Sequence, residues 1–207
     1  MKTLLLIALF LSGTATAFAE QTGWYLGLGL GAGASDISKD TYDDGSVIIV
    51  KQFDIEGTSF APSFFVGHRL TEYISLEVSY LDFGEYGFKG TSDGTGTFWF
   101  PGDIEVTEKA KGYTLALIGY LPLGRRHIFN ITGKAGFLKW DAEVKLKDSW
   151  GTITEEDDGT DFFVGIGVNF DFFKKGSIRI DIDRYKIDFL NYDRVIAVGS
   201  VKYVHYF

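Results

Sequence analysis

The chain has 207 residues and no cysteine, and 28 acidic residues against 20 basic ones give it a net charge of −8 at pH 7. Without cysteine there are no disulfides, no thiol catalysis and no lipoprotein acylation. The acidic balance argues against nucleic acid as a partner, because the phosphate backbone attracts basic proteins. Glycine is abundant, at 26 residues, and aromatic residues make up 16% of the chain.

The first nineteen residues have the features of a secretory signal peptide. Lys2 supplies a positive start, an apolar run follows, and Ala17-Phe18-Ala19 forms a small-x-small site before Glu20. The apolar part is too short to span a membrane. We therefore predict cleavage between Ala19 and Glu20, with residues 20–207 forming a single exported domain.

Eight segments of the remaining chain alternate with a period of two, which predicts β-strands. They lie at 23–34, 58–70, 74–83, 110–121, 127–144, 161–170, 178–185 and 195–207. Their lengths suit the ~9–11 residues that a tilted transmembrane strand needs. Because only a closed barrel satisfies every backbone group in lipid, the sequence predicts an all-β fold, an eight-stranded antiparallel up-and-down transmembrane β-barrel.

The predicted connections alternate in length. Short turns are expected around 71–72, 122–126 and 172–177, and loops at 35–57, 84–109, 145–160 and, shorter, at 186–194. In outer-membrane barrels the short turns are periplasmic and the long loops are extracellular. Pro62 interrupts the second strand, and since proline cannot donate to a ladder we expect it near the outer rim, at a bulge.

The two faces of the strands differ in polarity. In the first strand Trp24, Leu26, Leu28 and Leu30 share one face, and glycines occupy most of the other. A soluble eight-stranded carrier would have a polar exterior, so the apolar face favours contact with lipid. Aromatic belts are expected at both membrane interfaces. The periplasmic belt comprises Trp24, Tyr73, Tyr120, Phe129, Phe170, Tyr203 and Phe207, and the outer belt comprises Phe60, Phe83, Tyr113, Trp140, Phe162 and Tyr185.

Several motifs, in this order, resemble the OmpA-like and OmpX-like eight-stranded outer-membrane barrels. They are residues 23–27, 65–70, 76–84, 119–124, 133–137 and the terminal Phe207. The resemblance implies a porin-like barrel in the outer membrane of a Gram-negative cell, in contact with lipids and lipopolysaccharide. It also implies recognition by the barrel-assembly machinery through the C-terminal strand. It covers the barrel alone, without the peptidoglycan-binding domain of full-length OmpA-type proteins, so no tether to the cell wall is expected.

Ionisable residues on the inward face are the candidate site. Glu77, Lys134, Arg179, Asp181 and Lys202 are predicted to meet near mid-barrel, with Arg69, Asp171 and Asp183 nearer the ends. Charges removed from water must pair or become neutral, and we expect Glu77 to pair with Lys134 or Arg179. The network either gates a narrow water path or fills a lumen that is about the size of its own side chains.

Catalysis, cofactors and metals are not expected. The only histidines, His68, His127 and His205, map to the periplasmic end, whereas a lipid-modifying enzyme on this scaffold would need a Ser–His pair near the outer rim. Two acidic clusters, at 40–44 and 155–158, lack the spacing of a calcium-binding EF-hand loop and suit solvated loop tips.

Three functions remain open. The first is a non-enzymatic surface protein that supports envelope integrity or binds a host or surface partner through its loops. Apolar stretches at 46–50 and 97–101 either extend the strands and bind a partner by strand addition or pack on each other. The second is a low-conductance channel for ions or small solutes. The third, a lipid-modifying enzyme, is opposed by the positions of the histidines.

Overall fold

The computed structural model describes residues 22–36, 45–49, 58–123, 128–173, 175–189 and 192–207. It contains ten strands: β1 Gly23–Ser35, β2 Val47–Ile49, β3 Thr58–Phe60, β4 Ser63–Arg69, β5 Ile74–Ser92, β6 Gly102–Leu123, β7 Phe129–Lys147, β8 Thr152–Phe173, β9 Gly176–Phe189 and β10 Tyr192–Tyr206. Within these residues no helix is long and apolar enough to cross a membrane. The predicted signal peptide lies outside the described residues.

The strands close into one antiparallel ring. Each long strand pairs with its neighbours in the chain, and β10 returns to pair with β1 from Tyr25↔Tyr206 to Ser35↔Ile196. Short β3 and β4 pair with β1 in a single continuous register, so they form one strand position of the wall. Among the described residues, short β2 pairs only with β5, outside the ring. The wall therefore has eight strand positions, which confirms the predicted eight-stranded barrel.

Pro62 separates β3 from β4, and a bulge on the neighbouring strand accommodates it. The Asp82 amide donates to the Pro62 carbonyl at 3.2 Å, and the β5–β6 register then shifts between Asp82 and Gly84. Side chains replace the missing ladder bonds: the Gly84 amide donates to the Asp82 carboxylate and the Glu85 amide to the Ser59 hydroxyl, both at 2.8 Å. Gly84 has a φ of +79°, a conformation that favours glycine.

Three of the predicted loops are mostly strand. Residues 84–109, 145–160 and 186–194 were predicted as loops, but β5 and β6 stay paired up to Ser92↔Gly102, β7 and β8 up to Lys147↔Thr152, and β9 and β10 up to Phe189↔Tyr192. The prediction was wrong because it looked for an apolar outward face. Above the lipid the outward positions carry charge, while the inward positions of β5, β6 and β7 remain mostly apolar; those of β8 include Glu155 and Asp157. We call the parts of the first two hairpins formed by residues 84–110 and 141–160 the outer hairpins.

The predicted faces hold along the wall, with four exceptions among the belt aromatics. Trp24, Tyr203 and Phe207 are exposed on the outer surface at the short-turn end of the barrel. By contrast, Tyr120, Phe83, Trp140 and Tyr185 are buried inside the barrel. All four share strand parity with buried neighbours, Phe83 for example with Glu77 and Leu81, so their placement in the belts was wrong.

Candidate functional site

Six charged side chains meet inside the lower half of the barrel. They are Glu77 on β5, Lys134 on β7, Arg179, Asp181 and Asp183 on β9, and Lys202 on β10, and we call them the lumen network. Each lies on the inward face of its strand, and none is more than 8% exposed. The lumen network thus contains three cations and three anions, so its formal charges balance.

Glycines on β1 and β8 make room for these side chains. A Cβ added at Gly165 or Gly167 would collide with the carboxylates of Asp183 and Asp181 respectively, and one at Gly29 would lie 2.9 Å from the Lys202 side chain. The glycine-rich inward faces are therefore a spatial requirement of the network, since nothing larger fits beside the charges.

The network is connected by short ion pairs. Arg179 Nη2 donates to both carboxylate oxygens of Glu77 at 2.8 Å. Asp181 Oδ2 accepts from Arg179 Nε at 3.0 Å, from Lys134 Nζ at 3.0 Å and from Lys202 Nζ at 2.8 Å. Lys134 and Lys202 also reach Asp183 Oδ2, at 3.1 and 3.4 Å. Asp181 is the centre of the network because it contacts all three cations.

The structure brings together all five residues predicted for the network and adds a sixth. Of the two pairings considered for Glu77, the one with Arg179 is present, and Lys134 instead contacts Asp181 and Asp183. The prediction placed Asp183 nearer the end of the barrel, which was wrong. Its pairing partner Gly165 was the available signal, because a glycine opposite an inward carboxylate leaves space for that carboxylate.

Two tyrosines add hydrogen bonds to the anions, and Asp183 Oδ1 is the one carboxylate oxygen of the network that is buried without a hydrogen-bond partner. Tyr25 donates to Glu77 Oε2 at 3.0 Å, and Tyr185 donates to Asp183 Oδ2 at 3.3 Å. Buried charges are stabilised only when nearly all their donors and acceptors are satisfied. With these contacts the network links β1, β5, β7, β9 and β10 across the lumen.

A second polar layer lies at the short-turn end. Arg69 is buried, with its guanidinium carbon 4.1 Å from the centre of the Tyr120 ring, and it donates to the Glu72 carbonyl at 2.8 Å. In the same layer, the Asp171 carboxylate accepts from the side-chain amides of Asn130 and Asn169, both at 2.8 Å. Arg69 and Asp171 thus lie where the sequence predicted, near the end and apart from the lumen network.

An apolar layer fills the barrel above the network. Its buried side chains come from every long strand except β1, and Trp99 folds in from the tip of the β5–β6 hairpin. The largest members are Phe83, Tyr86, Phe88, Trp99, Ile104, Trp140, Phe163 and Tyr185. We call this layer the apolar plug. A partly buried ion pair, Arg194 with Glu108 at 2.9 Å, lies at its edge.

Little space remains between the network and the plug. A cavity there, lined by Ser63, Thr114, Ser200 and network residues, measures about 10 Å³. A water molecule requires roughly that much room. The lumen is therefore packed with side chains at this level.

The tips of the outer hairpins pack on each other. Phe100 and Trp150 stack with ring centres 4.6 Å apart, and Ser149 donates to the Pro101 carbonyl at 2.8 Å. Trp150 is nevertheless 80% exposed. The 97–101 stretch is thus a turn that packs, while Val47–Ile49 of the 46–50 stretch forms β2.

On the wall of the outer hairpins, the hydrogen bond from Lys89 lowers the pKa of the Glu105 carboxyl.

The histidines lie among aromatics at the short-turn end. His68 meets Trp24 edge-on with ring centres 4.9 Å apart, and His205 meets Phe207 at 5.3 Å. His127 lies outside the described residues. In the part of the chain that the structure describes, no group of histidine and carboxylate side chains could hold a metal ion.

A closed antiparallel ring with an apolar outer surface and a charged lumen defines a transmembrane β-barrel protein. The model of the outer membrane protein beta-barrel domain family matches residues 3–203, so the chain belongs to this family. This confirms the resemblance to outer-membrane barrels that the sequence showed.

Solved structures share the fold. Neisserial surface protein A aligns with 13% identity and a TM-score of 0.55 over 90% of this chain and 98% of its own. The Ail protein of Yersinia pestis aligns with 10% identity and a TM-score of 0.53 over 89% of this chain and 98% of its own. OprG of Pseudomonas aeruginosa aligns with 11% identity and a TM-score of 0.53 over 91% of this chain and 99% of its own. No curated protein matches the sequence.

Proposed function

We propose that the protein is a non-enzymatic surface protein of the outer membrane, anchored by a closed barrel and acting through its outer hairpins. The observation that carries this proposal is the division of the lumen into a charged layer and the apolar plug. A lumen filled in this way holds the barrel rigid. Specific interaction is then left to the exposed hairpins, and loops of this kind are where binding function concentrates.

A low-conductance channel is the second candidate, because charged residues line the lumen and could move to open a water path. The packing weighs against it. Hydrated ions would have to cross both the ion-paired network and the apolar plug, which offers them few polar groups. We therefore assign the lumen network to structural filling.

Catalysis finds no support in the positions of the candidate groups. His68 and His205 lie at the short-turn end and contact aromatic rings. Their apolar bodies and polar tips suit the membrane interface. We propose that Trp24, Tyr203 and Phe207 serve the same interface as anchors.

The remaining parts of the proposal concern export and surroundings. Residues 1–19 direct export and are removed before Glu20. The outer surface contacts lipid and, in the outer leaflet, lipopolysaccharide. The C-terminal strand β10 is the segment that the barrel-assembly machinery recognises.

Shortening the outer hairpins tests this function. Replacing residues 87–107 and 143–156 by Asn-Gly turns keeps the pairs Tyr86↔Glu108 and Ala142↔Asp157 next to each new turn. The assay is adherence of Gram-negative cells that display either form to an epithelial monolayer, with a heat-dependent gel shift to verify barrel closure. We expect the full-length protein to raise adherence and the shortened one to lose that gain. Equal adherence of the two would contradict a role for the hairpins.

A further inference from the structure

The upper part of β8 is an open edge of the sheet. Strand β8 pairs with β7 from Phe129↔Phe170 up to Lys147↔Thr152. Its pairing with β9 stops at Phe163↔Tyr185, where the Asp188 amide donates instead to the Asp161 carboxylate at 3.1 Å. Continuing the register puts the last residue of β9 beside Gly159. Among the described residues, the segment 152–158 therefore has a neighbouring strand on one side only.

The backbone groups that face this edge can be assigned. The Asp171 amide donates to the Ile128 carbonyl, across to the β7 side, and the β7–β8 register has no shift. The direction of the backbone N–H and C=O groups alternates along a strand, so the odd-numbered residues of β8, like Asp171, direct these groups to β7. Thr152, Thr154, Glu156 and Asp158 therefore direct theirs to the open edge. In agreement, the Asp158 amide donates to its neighbour's carboxylate, Asp157 Oδ1, at 2.9 Å.

The edge is exposed and acidic. Thr152 to Glu156 and Asp158 are all exposed, so both faces of the segment are accessible. Residues 155–158 are four consecutive carboxylates, and Glu155 and Glu156 make no ion pair with any described residue. Since carboxylates lie on both faces of the segment, an added strand with cations on one of its faces would meet negative charge whichever way that face points.

From this geometry we infer that the β8 edge, residues 152–158, binds an extended segment of another protein that carries lysine or arginine at alternate positions. This inference rests on the surface-binding role proposed above and names the partner's chemistry. Main-chain hydrogen bonds to an open edge provide affinity, and side chains provide specificity. A second copy of the chain is disfavoured, because pairing two such edges would place like charges opposite each other.

The test uses the full chain in phospholipid nanodiscs. The probe is a fluorescent, end-capped peptide of alternating lysine and valine, compared with one in which glutamate replaces lysine. Two variants separate the contributions: Glu156→Gln removes a charge, and Glu156→Pro also removes an edge-facing N–H while leaving the β7 ladder intact. We expect the lysine peptide to bind, and the proline variant to bind about tenfold more weakly than the glutamine variant, the effect of one lost hydrogen bond.

Amide hydrogen exchange gives a second measurement on the wild type, independent of whether the proline variant folds. Binding is expected to slow exchange at Thr154 and Glu156. No binding, equal binding of the glutamate peptide, or equal affinity of the two variants would overturn the inference. Such results would leave the adherence test unaffected, so failure at this edge is distinguishable from failure of the proposed function.

Discussion

Replacing Asp181 by asparagine removes the anion at the centre of the lumen network. The carboxylate accepts from Arg179, Lys134 and Lys202 at 2.8 to 3.0 Å, and its side chain is 2% exposed. Asparagine keeps the shape and one acceptor oxygen but leaves three buried cations against two anions. Breaking a buried ion pair costs about 3–5 kcal/mol. Because asparagine retains one acceptor oxygen, we expect the free energy of unfolding to fall by the lower end of this range, about 3 kcal/mol.

The assay is urea unfolding of the barrel in phospholipid vesicles, followed by tryptophan fluorescence and extrapolated linearly to zero denaturant. Asp188→Asn is the matched control, because Asp188 is an exposed residue of the same strand, and surface changes stay within about 0.5 kcal/mol. The double variant Asp181→Asn with Lys202→Met restores the charge balance, so its cost should be smaller than the sum of the single costs. A loss below about 1 kcal/mol for Asp181→Asn would refute the reasoning that the network is a structural element.

Three further predictions concern the outer part of the barrel. Gly84→Ala should destabilise by about 1–3 kcal/mol, because the residue has a positive φ and no room for a Cβ, whereas Gly133→Ala, which has open space, should change the urea midpoint little. Glu156→Lys, opposite a glutamate on β7, should stabilise by about 0.5 kcal/mol at low salt; a loss of stability would contradict the register. Lys89→Met should raise the pKa of Glu105 in an NMR titration. Because the folded pKa is lowered, the contribution of this pair to stability is present above the unfolded pKa and is lost as the pH falls through the folded one; an unchanged titration would exclude the pairing.

Much of the fold was predictable because lipid imposes a strict pattern. An apolar residue at every second position identified the strands, and the inward parity identified Glu77, Lys134, Arg179, Asp181 and Lys202. The outer hairpins escaped prediction because the outward face there meets water, so alternation persists only on the inside, as in Tyr86 and Phe88.

Contacts across the lumen were not predictable. Strand order indicates which residues point inward, but it does not give the distance between β5 and β9, so Glu77 had two candidate partners. The apolar plug was missed for a related reason. Phe83, Trp140 and Tyr185 were assigned to the lipid interface, although each shares the strand parity of a residue of the lumen network, and this parity places them inside.

Single-channel recording in a planar bilayer tests the central claim, that the barrel is a closed anchor, most directly. The mature protein is refolded, and a heat-dependent gel shift establishes closure before the recording begins. The charged network and the apolar plug together predict a silent membrane. Discrete conductance steps that change with Glu77→Gln or Lys134→Met would contradict the account and make the protein a gated channel.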